Sequence, residues 1–183
     1  VTTGLRNTLI GGLAGDAITT ANDNVAVGKG ALTADTTGAS NTAVGSAALE
    51  ISTTGSENTA LGYAALNANT TASNNTAVGS AALAANTTGA SNVALGKTAG
   101  AAITTGSRNI AIGHDAGASA TTVSDNTAVG YYALQDNTGA SNTAVGSYAL
   151  LQNTTAANNT AVGYSAGVAI TTGATNTLLG SEA

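Results

Sequence analysis

The single histidine of the chain, His114, is followed directly by Asp115, the one place where an imidazole adjoins a carboxylate. General acid–base chemistry needs such groups converging on one substrate. Neighbours on an extended strand point to opposite faces, so this pair is expected to make a poor dyad. The acids Asp16, Glu50, Glu57 and Asp136 fall at different places in the repeat described below and are not expected to converge. Cysteine is absent and one His forms no imidazole cluster, so thiolate, haem and zinc chemistry has no ligands. Calcium-binding repeats need an acid in every turn, which most turns here lack. No enzymatic activity, cofactor or metal is therefore predicted. Four Lys and Arg against nine Asp and Glu, net charge −5, cannot supply the basic footprint of a nucleic-acid binder. The tyrosines Tyr63, Tyr131, Tyr132, Tyr148 and Tyr164 are candidates for surface contact with a glycan or a protein. Their plainer reading is an amphipathic cover over one edge of the fold. The Asn-x-Thr sites at Asn69, Asn74, Asn86, Asn153 and Asn158 would matter only in a eukaryotic secretory route.

What positions these residues is a repeat. Asn recurs at Asn7, Asn24, Asn41, Asn58, Asn75, Asn92, Asn109, Asn126, Asn142, Asn159 and Asn176, always 17 residues apart except for one step of 16 after Asn126. With each Asn as position zero, the copy reads Asn-(Thr/Val/Ile)-(Ala/Leu)-(Val/Ile/Leu)-Gly, with Ala always at position seven and Thr-Thr at twelve and thirteen in most copies. A period of 17 with β-branched alternation is too short for a two-helix unit and suits one rung of a parallel β-solenoid. The prediction is an all-β chain, residues 1–183 forming one repeat domain of about eleven rungs. Stacked Asn side chains are expected to form a structural ladder, with Asn supplying a left-handed corner and Gly at position four relieving the next one.

Position eight is Leu or Gly, and position eleven changes with it. Leu32, Leu49, Leu66, Leu83, Leu134 and Leu150 go with Asp35, Ser52, Asn69, Asn86, Asn137 and Asn153. Gly15, Gly100, Gly117 and Gly167 go with Ile18, Ile103, Ala120 and Ile170. This predicts one core slot per rung, filled from either end of a bend. Position three, always Val, Ile or Leu, is expected to point inward with position one, leaving the Ala of position two outward against a neighbour. With only 32 Val, Ile and Leu among 183 residues, about three medium aliphatics per rung make a thin core. Parallel association of identical chains over the Ala column, centred near Ala77, would relieve it. Arg6 and Asp23, and Arg108 and Asp125, are spaced to meet on adjacent rungs. Val1 falls at position eleven of a preceding rung and Ala183 at position seven of the last; solenoids normally need caps. A continuation into a longer chain or end-to-end stacking is expected.

The rung Asn-Thr-Ala-Val-Gly with Ala three residues after the Gly resembles the head repeats of trimeric autotransporter adhesins. The segments Asn126 to Leu134 and Asn58 to Leu66 are similar to repeats of predicted phage tail fibres, with Tyr131 and Tyr63 in the Tyr place. The resemblance spans essentially the whole chain and departs from the adhesin heads in its longer period. It implies a non-enzymatic, homotrimeric rod that is extracellular, on a cell surface or on a virion, with a host receptor or glycan as partner. The alternative is an ice-binding solenoid using the Thr-Thr ranks, such as Thr19-Thr20, Thr53-Thr54 and Thr104-Thr105. No run of 18 apolar residues exists, so no membrane span is predicted.

Overall fold

A computed structural model describes residues 3–183; Val1, read above as part of a preceding rung, lies outside them. Eleven three-residue strands run from β1 (Thr8–Ile10), β2 (Val25–Val27) and β3 (Thr42–Val44) to β11 (Thr177–Leu179). They pair in chain order in one parallel sheet. Register is strict: Thr42 pairs with Thr59, Ala43 with Ala60 and Val44 with Leu61. The chain is a β-solenoid of about ten turns, one per repeat, and the described residues include no helix. The short rung of 16 residues keeps this register, Thr127 pairing with Thr143. It lacks the second Thr of the Thr-Thr pair, a position that is exposed in the other rungs, for example at Thr37, Thr54 and Thr88. A deletion there costs no core contact.

The inward face is the reverse of the one expected. Ala26, Ala43, Ala60, Ala77 and Ala94, at position two, are fully buried in their own chain. Positions one and three flank them on the outer face: Leu61 is 46% exposed, Leu95 38% and Ile112 36%. The reason is the bore of the rung. A 17-residue turn brings opposite walls so close that the strand admits only Ala on its inner side, and the larger β-branched residues must face out. The core of most rungs is accordingly two Ala and one Leu or Ile, not three medium aliphatics: rung three buries Ala43, Ala48 and Leu49, and the rung with Gly117 buries three Ala, Ala111, Ala116 and Ala120.

The shared slot is present. Leu32, Leu49, Leu66 and Leu83 are fully buried, and where Gly replaces Leu, Ile18 and Ile103 are 1% exposed. A Cβ added at Gly15 would lie 2.9 Å from the Ile18 Cδ1, and one at Gly100 would lie 3.0 Å from that of Ile103. Position eight is a left-handed corner whichever residue holds it, Leu49 with φ 50° and Gly100 with φ 58°. Leu there bears a strain of ~1–2 kcal/mol, offset by full burial worth roughly 1.5–3 kcal/mol.

Asn of position zero does not supply a left-handed corner. The residue before it does: Asp23 (φ 60°), Ser40 (φ 59°) and Arg108 (φ 57°). The Gly of position four does relieve a corner; Gly28 has φ 134° and a Cβ on it would come 2.5 Å from the Gly45 carbonyl oxygen.

Candidate functional site

The Asn column runs inside the wall as a continuous ladder. Asn41 N–H donates to Asn24 Oδ1 at 2.8 Å while Asn41 Nδ2 donates to the Gly55 carbonyl at 2.8 Å. The same backbone-to-side-chain bond links each Asn to the one before it, from Asn7–Asn24 to Asn159–Asn176. Both ends of these side chains tie one rung to the next, except at Asn126, whose Nδ2 donates to the Ser124 carbonyl beside it.

A second polar row, at position eleven, lies inside the bore. Its residues are predicted by the slot exchange only as the polar partners of Leu, with no sign that they bond to one another. Asn86 Nδ2 donates to Asn69 Oδ1 at 3.1 Å and Asn153 Nδ2 to Asn137 Oδ1 at 2.8 Å. Asp35 is the one acid in this row. Its Oδ1 accepts from Gly38 N–H at 3.0 Å, while Oδ2 is buried without a partner, as is Ser52 Oγ one rung on. Burial pushes the Asp35 carboxyl up to about 7, against the downward pull of the Gly38 N–H.

The Thr-Thr column divides in two. The hydroxyls of Thr36, Thr53, Thr70 and Thr87 each donate to the carbonyl of the Thr one rung on, at 3.0–3.1 Å. The first Thr of the pair therefore belongs to the inter-rung bonding, and the second is the exposed rank. On another edge the expected ion pairs form: Arg6 Nε lies 2.5 Å from Asp23 Oδ1 and Arg108 Nε 2.7 Å from Asp125 Oδ1. Each carboxyl is held below its ordinary range, foremost by the hydrogen bond from its Arg.

Positions five and six turn one corner of the rung, and there four of the five tyrosines gather with the histidine. The rings of Tyr132 and Tyr148, one rung apart, are parallel within 4° at 5.9 Å. Tyr131 stands edge-on to both, 4.2 Å from Tyr132 and 5.4 Å from Tyr148. Tyr164 stands edge-on to Tyr148 at 6.0 Å, and His114 lies 5.6 Å from Tyr131. Tyr131 and Tyr164 are 42% and 53% exposed, whereas Tyr132 and Tyr148 are half-buried. Tyr63 is on the same corner four rungs before Tyr131, at 65% exposure. The Tyr132 hydroxyl is pushed up to about 12, foremost by its hydrogen bond with Tyr131 and further by the Asp115 charge. Burial raises Tyr148.

His114 and Asp115 are in this turn and not on a strand, so the expectation that they point apart is corrected. His114 Nδ1 lies 2.9 Å from Asp115 Oδ2, off the hydrogen-bonding direction. Asp115 is occupied from the other side by the Thr98 hydroxyl. Thr98 is a partner that nothing in the sequence marks, apart from its standing one repeat before Asp115. Of the scattered acids, Glu50 accepts from Asn67 Nδ2 at 2.8 Å. Among the described residues no three His, Cys, Asp or Glu side chains could hold a metal, no concave pocket opens, and no helix is long and apolar enough to cross a membrane. Any binding surface offered by these residues is a ridge. Compared with known proteins, the chain matches no family model, no curated protein and no solved structure.

Proposed function

We propose that this chain is a non-enzymatic structural segment, the rigid shaft or head of an extracellular fibre such as an adhesin, a phage tail fibre or a surface filament. It acts as a parallel homo-oligomer. The observation that carries this reading is the outer sheet face. Positions one and three of all eleven strands hold only Thr, Val, Ile and Leu, without one charge. A face of that kind along the whole length of a protein is an association surface.

A second copy of the chain fits it. Two copies carry the same ranks at the same rung spacing, so side chains of one seat between rungs of the other along the full length. Eleven strands at ~4.8 Å make a face about 50 Å long and ~10 Å wide, or roughly 500 Å². A stable pair needs ~800 Å² on each side. The face alone falls short of that, so assembly must also bury columns that flank it, as in a closed threefold where every chain meets two others. The function is mechanical: backbone, Asn and Thr bonds all run along the rod, and each rung supports the next.

Sedimentation velocity at micromolar concentration tests this. The wild type is expected to sediment as an oligomer, and Val78→Lys as a folded monomer. A wild-type chain that is monomeric, or that shows thermal hysteresis without assembling, would sink the reading, the latter in favour of ice binding.

A further inference from the structure

The oxidisable side chains of this protein lie almost all in one place. It contains no Cys, Met or Trp, so the residues open to mild oxidation are five Tyr and one His. His114 and four of the tyrosines share the aromatic corner. Tyr63 stands apart, with Ser46, Ala47, Ser80 and Ala81 at the matching positions of the rungs beside it. Within the corner Tyr148 is the hub. It meets Tyr131 of rung eight edge-on at 5.4 Å and Tyr164 of rung ten edge-on at 6.0 Å, and both of those rings are exposed. The same stretch of the rod has the thinnest core and a missing Asn bond. In rung seven a Cβ on Gly117 would meet only the Ala111 Cβ, at 3.7 Å, whereas one on Gly100 would lie 3.0 Å from the Ile103 side chain. Asn126, which opens rung eight, directs its amide to Ser124 beside it, and rung eight is itself one residue short. The rings gather where the rungs are held together least.

We propose that this corner is a site of oxidative modification, at which Tyr131 and Tyr148 are coupled through a carbon–carbon bond that staples rung eight to rung nine. The co-reactant is a peroxide used by a one-electron oxidant of the haem peroxidase class. Each phenol loses one electron and its hydroxyl proton, and one peroxide takes up both electrons and both protons and leaves as two waters. The two phenoxyl radicals join ortho carbon to ortho carbon. Each ortho hydrogen then leaves as a proton and a phenolic oxygen regains one, so the product is a biphenol with two hydrogens fewer. An electron lost at Tyr164 is replaced from Tyr148 across the ring contact, and a second loss at Tyr131 leaves the radicals on adjacent rungs. Tyr131, being exposed, turns between rotamers on the ps–ns scale, which carries its ortho carbon from the edge-on pose to Tyr148. Tyr132 is the poorer partner, because it lies parallel to Tyr148 and the two rings present faces to each other. All these rings belong to one chain, so the proposal is independent of the fibre reading.

Dilute protein treated with hydrogen peroxide and a haem peroxidase is expected to yield single chains lighter by two hydrogens, with the blue emission of a biphenol. Asp136 lies between the two tyrosines, so cleavage at aspartate should return the Tyr131 and Tyr148 peptides joined. Tyr148→Phe and Tyr131→Phe keep the ring and remove the phenol, and each should lose the joined peptides. Tyr63→Phe should give them at the wild-type yield. The coupled chain should melt higher than the untreated one, because the bond closes a loop in the unfolded state as a disulfide does. Tyr148→Phe carried through the same treatment should show no such shift. Joined peptides that survive in Tyr148→Phe overturn the proposal, as does coupling found only between chains or no biphenol at all. A bond that forms without raising the melt overturns the staple.

Discussion

Asp35 is the residue with the clearest pH consequence. It stands in an interior row otherwise made of Asn and Ser, fully buried, with Oδ2 unpaired. Its carboxyl is raised from an ordinary value of 3.8 to about 7, chiefly by burial. The folded chain therefore binds this proton more tightly than the unfolded chain does. The stability it contributes is fully present below pH ~4 and is lost as pH rises to about 7. Each tenfold difference in proton affinity is worth ~1.4 kcal/mol, so the loss amounts to at most about 4 kcal/mol. Asp35→Asn, which copies Asn69 and Asn86, should melt higher than the wild type at pH 8 and lose the slope between pH 4 and 7. A slope that survives in the variant would assign the titration to another group. The arginine pairs behave oppositely but weakly: the carboxyls of Asp23 and Asp125 are lowered, so their contribution is present above the ordinary range and lost as pH falls. Being exposed, these pairs set register more than stability.

The rung is the element of this fold, and its bend is where side-chain volume is exchanged between two positions. Leu83→Gly empties a slot that is fully buried in the wild type and should cost about 2–5 kcal/mol. Asn86→Ile added to it rebuilds the Gly100–Ile103 arrangement one rung away and should recover most of that loss. Thermal or denaturant melts of the two single variants and the double variant check this; simple additivity would mean that the positions do not share a slot. The corner at position four is less forgiving. A methyl on Gly62 would come 2.6 Å from the backbone carbonyl oxygen of Gly79, at φ 137°. Gly62→Ala should lower stability by several kcal/mol, more than any surface substitution. The two outcomes differ because a side chain in the slot has a partner position to exchange with, whereas a backbone corner has none.

For the whole molecule the test lies in two adjacent residues of one strand, β5 (Thr76–Val78). Ala77 is fully buried and Val78 is partly exposed. Ala77→Arg places an unpaired charge inside the bore and should abolish folding, seen as loss of the β signal in circular dichroism. Val78→Lys should leave that signal intact and act only on the sedimenting mass. If instead Ala77→Arg stayed folded and dissociated, the Ala column would be the outer face after all. This pair also shows where reading the sequence stopped. The Asn spacing, with the β-branched alternation beside it, determined the solenoid, its rung count and its register, because every rung repeats the same backbone hydrogen bonds and so must repeat the same sequence. The Leu–Gly exchange determined the slot, since conserved volume leaves its mark in composition. Hydrophobicity alone pointed the wrong columns inward. The side of the sheet that faces the core depends on the width of the bore, and that is a distance between residues nearly half a turn apart, which no local pattern records. The aromatic corner was legible as a list of tyrosines; the edge-on arrangement of Tyr148 with Tyr131 and Tyr164 required the rungs to be stacked in space. The contact between His114 and Asp115 likewise came from the turn, where adjacent side chains can face one another, as they cannot on a strand.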